Sequence, residues 1–150
     1  LLIAYDEDSG MDAGYALVAT KNLYGYVLLK YLAVMPWCRG QGMGIQIMRL
    51  INKRYADRQG IIAELTSFED EDGSMIKGLR KFFARFGYVV VDSDYRIGGA
   101  PVELMVKPIK GTFEIEPVEH RIIRDFYTRV LNPFTMDKMI DIRPVRKPEE

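Results

Sequence analysis

The sequence predicts an α+β fold in which three strands come first and two amphipathic helices, each leading into further strands, come next. Two observations carry this prediction. Short runs of β-branched and aromatic residues are bounded by turn residues, as strands are, and two later segments repeat apolar residues at helical spacing. The 150 residues are enough for one hydrophobic core, and the hydrophobic (48%) and charged (28%) fractions are those of an ordinary globular domain.

The first three strands are predicted over residues 1–5, 14–20 and 24–34. The connection at 6–10 contains Asp, Ser and Gly, which favour turns. The third run is apolar and aromatic enough for a largely buried strand. Pro36 then ends its ladder soon after Val34, because proline has no N–H to donate.

An amphipathic helix is predicted over residues 42–57, because its apolar and polar side chains fall on opposite faces. The apolar face carries Ile47, Met48, Ile51 and Tyr55, and the polar face carries Gln46, Arg49, Lys53 and Asp57. Gln59 and Gly60 end this helix. Residues 61–66 are then predicted to form a short buried strand.

A second amphipathic helix follows an acidic loop at 68–73, and Ser74 is predicted to cap it. One side of this helix carries Met75, Ile76, Leu79, Phe82, Phe83 and Phe86. Gly87 ends it, and strands are predicted over 88–91 and 102–106. Beyond them, residues 117–131 are predicted to form one more amphipathic helix, with Pro117 in its first turn, and the last residues a loose tail.

The turn between the third strand and the first helix contains three alternate glycines, Gly40, Gly42 and Gly44. Glycines remove the side chains that would hold an anion away from the backbone. The first N–H groups of a helix have no intrahelical partner and attract negative charge. Strand, glycine turn and helix start therefore predict a cradle for a pyrophosphate.

Two familiar phosphate loops do not fit this turn. A Walker loop ends in Gly-Lys-Ser/Thr, whereas Gly44 is followed by Ile45 and Gln46. A dinucleotide fingerprint needs Gly-x-Gly-x-x-Gly and an acidic residue at the end of the next strand. Here the glycine spacing differs, and Glu64 lies inside its strand.

The segment from Arg39 to Gly44 resembles motif A of the GCN5-related N-acetyltransferases (GNAT), which is Gln/Arg-x-x-Gly-x-Gly/Ala after a strand ending in Leu-x-Val. A second block, from Arg80 to Tyr88, resembles the closing helix of that family and its Phe-Tyr-x-x-x-Gly-Phe ending. One helix and one strand separate the two blocks, as in the family. The resemblance implies a mixed, mostly antiparallel central sheet flanked by helices, an α/β sandwich.

The resemblance covers residues 1–110 and implies a GNAT-like domain there, with 111–150 as a C-terminal extension of one amphipathic helix and a tail. The first strand and first two helices of the family have no counterpart, so we expect a fragment or a lost opening. In the family that region helps to form the acceptor pocket.

The resemblance also implies a cofactor and a reaction. Acetyl-CoA would donate its acyl group to an amine by direct attack on the thioester. The residues implied in binding the CoA moiety are Leu32, Ala33 and Val34 along the pantetheine arm, Arg39, Gly40, Gln41, Gly42, Met43 and Gly44 at the pyrophosphate, and Phe83. Lys77, Arg80, Lys81 and Arg85 are candidates for the ribose phosphate, with a solvated helix face as the commoner meaning of such charges.

Glu64 is the predicted general base, because it is a lone acid in an apolar strand and burial raises the pKa of an acid. The alternative is that it points outward or pairs with a lysine. The family often supplies a tyrosine as the acid four positions before the closing glycine, and here that residue is Phe83. Tyr95, in the loop after the next strand, or Tyr31 is the predicted substitute. Lys30 stands where relatives often have an acid.

Composition excludes several other classes of protein. Lys plus Arg (21) equals Asp plus Glu (21), so no overall charge attracts nucleic acid or an anionic membrane. Cys38 and His120 are the only cysteine and histidine, which excludes a His/Cys metal cluster and gives a Cys–His nucleophilic pair little weight. We expect no metal and no apolar span of about 18 residues. A cytoplasmic location is expected, and a homodimer is compatible with the sequence.

Two functions of different classes remain open. The first is an N-acetyltransferase acting on an amine of a small molecule or protein. The second is a catalytically weak acyl-CoA-binding module whose C-terminal helix contacts a partner. A helix packed on the sheet is the simpler interpretation of that C-terminal segment.

Overall fold

The computed structural model describes residues 1–21, 23–66, 73–111 and 123–143. The strands are β1 (Leu2–Asp6), β2 (Met11–Ala19), β3 (Tyr26–Val34), β4 (Gly60–Thr66), β5 (Val89–Ile97), β6 (Ala100–Pro108) and β7 (Ile140–Arg143). The helices are α1 (Met43–Arg54), α2 (Ser74–Ala84), α3 (Arg124–Val130) and α4 (Pro133–Met139), with a 3-10 turn at Pro36–Cys38. The element order predicted from the sequence is confirmed from β1 to β6.

The described strands form one seven-stranded sheet in the order β1-β2-β3-β4-β6-β5-β7. β3 and β4 are parallel, and every other neighbouring pair is antiparallel. Helix α1 connects the two parallel strands, which need a crossover of this kind. The mixed, mostly antiparallel sheet flanked by helices is therefore confirmed.

Helices cover both faces of the sheet, because successive side chains of each strand point to opposite sides. One face packs against α1 and α2 through a cluster that includes Ile47, Ile61 and Phe83. The other packs against α3 through a cluster that includes Leu104 and Ile123. Helix α3, in the segment after residue 110, therefore shares a core with the strands.

The first amphipathic helix closely matches its prediction. Ile47, Met48 and Ile51 are buried in α1, and Tyr55 is buried just after it. The polar face of the helix is exposed at Gln46, Arg49, Lys53 and Asp57. The periodicity therefore identified the buried stripe correctly, since a helix on a sheet buries one face.

Two local predictions are wrong. Gly73, with φ of 67°, precedes α2 as its N-cap, and Ser74 is the first helical residue. β5 continues to Ile97, so Tyr95 lies on a strand and not in a loop. Sequence favours a loop around Asp92, because aspartate is poor in strands. Pairing with β6 and β7 nevertheless extends β5, with a register shift between Val91 and Tyr95.

The C-terminal segment also differs from one helix and a tail. It contains two short helices, α3 and α4, and β7 pairs with β5 at the edge of the sheet. The strand escaped prediction because four residues are too few to show a reliable alternation. Residues 117–122 of the predicted helix, with His120 among them, and residues 68–72 of the acidic loop lie outside the described residues.

Candidate active site

A glycine turn connects the end of β3 to the start of α1. Gly40 and Gly42 have φ of 75° and 76°, in the left-handed region that other residues rarely adopt. Gly42 is the N-cap of α1, and its carbonyl accepts from the N–H of Ile45 at 3.0 Å. In the described residues, the N–H groups of 40–44 donate to no main-chain carbonyl. The turn therefore presents unpaired backbone donors at a helix N-terminus, as an anion site does.

The space in front of these donors is open. A Cβ built on Gly40 or Gly42 would meet nothing within 4 Å, whereas one on Gly44 would contact Val34 Cγ2 at 3.5 Å. The first two glycines are therefore required by their backbone conformation and not by crowding. Gly44 faces the end of β3, which brings the helix close to that strand.

Two polar side chains fold back onto this turn. Arg39 Nε donates to the Val34 carbonyl at 3.3 Å, and Gln41 Nε2 donates to the Trp37 carbonyl at 3.0 Å. Both side chains are exposed, so the guanidinium can also reach an anion held by the turn. Cys38 is buried beside them.

A cleft opens where β3 and β4 separate. Their parallel pairing runs from Tyr26↔Gly60 to Leu29↔Ala63 and continues no further. β3 remains paired with β2 as far as Val34, and β4 remains paired with β6 as far as Thr66. The main chain of residues 30–34 is thus an open strand edge, about 13 Å long at the usual rise per residue. It runs from the glycine turn to the point of separation.

A cavity of about 160 Å³ lies in this cleft. Its floor is polar at the point where the strands separate, and α2 supplies an apolar wall. The lining residues are Leu29, Lys30, Tyr31, Leu32, Glu64, Leu65, Thr66, Leu79, Phe82 and Phe83. The cavity continues the open edge of β3, so a molecule held by the glycine turn can extend along that edge to the floor.

The polar floor is built around the carboxylate of Glu64, whose side chain is only 1% exposed. Lys30, the next residue after the last paired position of β3, forms an ion pair with it. Tyr95 Oη donates to Oε1 at 3.2 Å, and Tyr127 Oη donates to Oε2 at 3.0 Å. Lys30 also donates to the Tyr127 hydroxyl. These four residues, from β3, β4, β5 and α3, are called the polar cluster below.

The members of the polar cluster change one another's proton affinities. Burial lowers the pKa of Lys30, but the charge and hydrogen bond of Glu64, together with the Tyr127 hydroxyl, outweigh it and hold that pKa above its ordinary value. Burial raises the pKa of Tyr95 and of Tyr127, and the negative charge of Glu64 is the second cause of both increases. At neutral pH an ammonium and two neutral phenols therefore surround the carboxylate.

The family model of the acetyltransferase (GNAT) domain matches residues 1–90, which is more than half of the chain. The chain belongs to the GNAT family. The cleft and the glycine turn lie inside the matched region, whereas Tyr95 and Tyr127 lie beyond it. No curated protein matches this sequence.

Solved GNAT structures share the fold. A GNAT-family protein from Bacteroides thetaiotaomicron is 21% identical, with a TM-score of 0.64 over 85% of this chain and 70% of its own. Nourseothricin acetyltransferase is 19% identical, with a TM-score of 0.55 over 72% of this chain. The NatB acetyltransferase complex bound to CoA and MES is 13% identical, with a TM-score of 0.55 over 72% of this chain and 72% of its own. This chain spans 64% of the length of nourseothricin acetyltransferase.

Within this GNAT fold, the predicted base and acid are neighbours. Glu64 was expected to be a lone buried acid or to pair with a lysine, and it pairs with Lys30. Tyr95 is 1% exposed and directs its hydroxyl at Glu64 and not into the open cleft. Tyr31 lines the cleft but is largely exposed, and Phe83 lines it from α2.

Sequence reasoning missed two members of the cluster. Lys30 is the single charged residue in β3, and this was a usable indication that it faces a polar partner. Tyr127 offered no such indication, because a tyrosine on an amphipathic helix is usually a core residue. Only the packing of α3 over the sheet brings its hydroxyl to Glu64.

The remaining charged candidates are on the surface of α2. Arg80 is engaged with Glu103, whose Oε1 accepts from Nε at 2.6 Å, so it is less available to a ribose phosphate. The other three candidates, Lys77, Lys81 and Arg85, are exposed.

In the described residues, no group of three His, Cys, Asp or Glu side chains is arranged to hold a metal ion. None of the helices in that part of the chain has the length and apolar character that crossing a membrane requires.

Proposed function

We propose that this GNAT chain is an N-acetyltransferase that transfers an acetyl group from acetyl-CoA to an amine of a small molecule or protein. The observation that carries the proposal is the separation of β3 from β4 beside the glycine turn. It creates one continuous path from unpaired backbone donors, along an open strand edge, to a buried carboxylate. A pyrophosphate, an extended amide arm and a reacting group fit that path in this order.

The glycine turn and β3 would bind the CoA moiety. The N–H groups of 40–44 would donate to the pyrophosphate, and Arg39 would add a charge-assisted contact. The amides of the pantetheine arm would pair with the main chain of Leu32–Val34 as an added strand does. Phe83 would contact the arm from α2, because it lines the same cleft.

The reaction would be direct attack of the amine nitrogen on the thioester carbonyl carbon. The N–C bond forms, the C–S bond breaks, and CoA leaves as a thiolate. An alkyl amine is protonated at neutral pH, so it must first lose a proton. We assign Glu64 as the group that accepts it, because it is the carboxylate on the floor of the cleft.

Tyr95 would act through Glu64, because its hydroxyl donates to the carboxylate at 3.2 Å. Direct donation to the leaving thiolate is not required, since a thiolate of this type is a tolerable leaving group with a pKa of about 8.5. Tyr95 is therefore assigned to positioning Glu64 and not to the role of the family's acid. At the position where the family often has a tyrosine, Phe83 supplies only an apolar contact.

The test is amine-dependent release of free CoA thiol, measured for the parent chain and for two glutamate variants. Glu64→Gln should abolish turnover and leave the affinity for CoA nearly unchanged. Glu103→Gln is the matched control, because Glu103 also lies on a strand but pairs with Arg80 at the surface. Unchanged turnover in Glu64→Gln removes this residue from the mechanism.

A catalytically weak acyl-CoA-binding module is the second candidate. The ion pair of Glu64 with Lys30 favours it, because the carboxylate already has a cation beside it and its side chain is nearly inaccessible. The same assay separates the two functions. Both predict CoA binding, and only the first predicts thiol release that depends on an added amine.

A further inference from the structure

We infer that Tyr127 of the C-terminal segment is a positioning residue that holds the Glu64 carboxylate in its reactive orientation. This role rests on the proposed function. Tyr127 lies outside the 1–90 region that matches the GNAT model. The C-terminal segment would therefore complete the active site and not merely cover the sheet.

The contacts of Tyr127 define the orientation of its hydroxyl. The Lys30 ammonium group can only donate hydrogen bonds, so the Tyr127 oxygen accepts one from it. The single phenolic proton is then directed to Glu64 Oε2, 3.0 Å away. Lys30 Nζ also lies over the Tyr127 ring, 4.7 Å from its centroid. Ring and hydroxyl together therefore hold both charged partners of the cluster.

The carboxylate has little freedom once these contacts are made. Oε2 accepts from Lys30 and Tyr127, and Oε1 accepts from Tyr95 and, at 3.4 Å, from Tyr127. The carboxylate is thus tied to three elements of the fold. Removing the Tyr127 hydroxyl leaves Lys30 as the single donor to Oε2 among the described residues, and a lysine chain is flexible where a buried phenol is not.

Helix α3 holds Tyr127 by contacts away from the cluster. Ile123, just before the helix, is fully buried in the same core, and the Phe126 ring packs edge-on to Tyr127 with 5.0 Å between centroids. Tyr24 Oη donates to Asp125 Oδ2 at 2.7 Å on the exposed side of the helix. Tyr127→Phe should therefore keep the helix in place and remove only the hydroxyl.

The experiment compares three tyrosine-to-phenylalanine variants of the full chain in amine-dependent thiol release. Tyr127→Phe should lower kcat by about tenfold to a hundredfold, the usual effect of losing a hydrogen bond to a charged group, with CoA affinity unchanged. Tyr24→Phe removes a hydroxyl that also tethers α3, and Tyr88→Phe removes a buried hydroxyl on the opposite face. Both controls should retain the parent kcat.

The pH profile distinguishes positioning from simple packing. In Tyr127→Phe the acidic limb of kcat/KM should move to higher pH, because a carboxylate that loses a donor holds its proton more tightly. A variant that only loosened α3 would lower the profile at every pH without moving it. Tyr24→Phe, which removes one tether of α3, should keep the parent profile in both height and position.

The double variant Glu64→Gln, Tyr127→Phe completes the test. In urea unfolding, its loss of stability should differ from the sum of the two single losses, because the hydroxyl and the carboxylate contact each other. This readout needs no activity.

Three results would overturn the inference. Strictly additive unfolding effects mean that the two side chains do not interact, whatever the activity. If the parent is active and Tyr127→Phe keeps the parent kcat and pH profile, Tyr127 has no positioning role and the proposed function stands. Absence of turnover in the parent with every amine overturns the proposed function and this role together.

Discussion

Lys30 and Glu64 lie side by side at the point where β3 and β4 separate, and their side chains form a buried ion pair. The pair occupies the floor of a cleft that begins at a glycine turn. A buried ion pair is a weak contributor to stability, since desolvation offsets its attraction. Its location at the meeting point of an anion cradle and an open strand edge favours a functional reason for it.

Breaking this pair should destabilise the protein more than breaking a surface pair. Lys30→Met leaves the Glu64 carboxylate buried beside two phenols and no cation, and this should cost about 3–5 kcal/mol in urea unfolding. Arg80→Met, which breaks the exposed pair with Glu103, is the control and should cost about 0–1 kcal/mol. Equal effects would mean that the Lys30–Glu64 pair is solvated in the folded protein.

The glycine turn should be required for CoA binding. The double variant Arg39→Ala, Gly42→Val removes the guanidinium and places a β-branched residue at φ of 76°, so the turn must rearrange. In calorimetric titration with acetyl-CoA, the affinity should fall by about tenfold or more.

The matched control for this experiment is Gly98→Val, because Gly98 has φ of 58° in the turn between β5 and β6. It imposes comparable strain at a distance from the cleft and should bind acetyl-CoA as the parent does. If the double variant also binds normally, the cradle is not the CoA site. Loss of binding in both variants would point to general unfolding.

Introducing the family's tyrosine should test whether thiolate protonation limits the reaction. Phe83→Tyr places a phenol in the cleft from α2, and kcat should stay within about twofold of the parent value, because the thiolate leaves without an acid. CoA affinity, measured by titration, should stay within about twofold, because the ring remains in place. Phe82→Tyr is the control, since Phe82 lines the same cleft at a different helical angle. A rise in kcat of about tenfold or more in Phe83→Tyr alone would mean that the reaction lacks an acid.

Stability should fall at alkaline pH because tyrosines are buried. Burial raises the pKa of Tyr88 well above its ordinary value of 10.0. The unfolded chain releases the Tyr88 proton near pH 10. The contribution of Tyr88 to the free energy of unfolding is therefore complete below that pH, and it is lost as the pH rises through the pKa of Tyr88 in the folded protein.

Urea unfolding at pH 8 and at pH 11 provides the measurement, with both values chosen to bracket the unfolded-state pKa of about 10. The loss of stability between them should be smaller in Tyr88→Phe than in the parent. It should not disappear, because burial also raises the pKa of Tyr95 and of Tyr127. An identical loss in both proteins would show that Tyr88 ionises normally in the folded state.

Sequence patterns predicted the parts of the fold that are local. The stripe of Ile47, Met48 and Ile51 identified the buried face of α1, because helical spacing depends only on nearby residues. β5 was predicted too short, because its strand state depends on pairing with β6 and β7. The cytoplasmic location and the homodimer stay predictions.

The sequence by itself determined the strand, the glycine turn and the helix start, because these are consecutive residues whose conformations depend on their own side chains. Only the tertiary structure decided what surrounds Glu64. Tyr95, Lys30 and Tyr127 are 31, 34 and 63 positions away from it. They meet because parallel pairing sets Lys30 beside Glu64, because β5 lengthens past its register shift, and because α3 packs over the sheet. Long-range packing therefore built the polar floor of a cleft that local sequence had located.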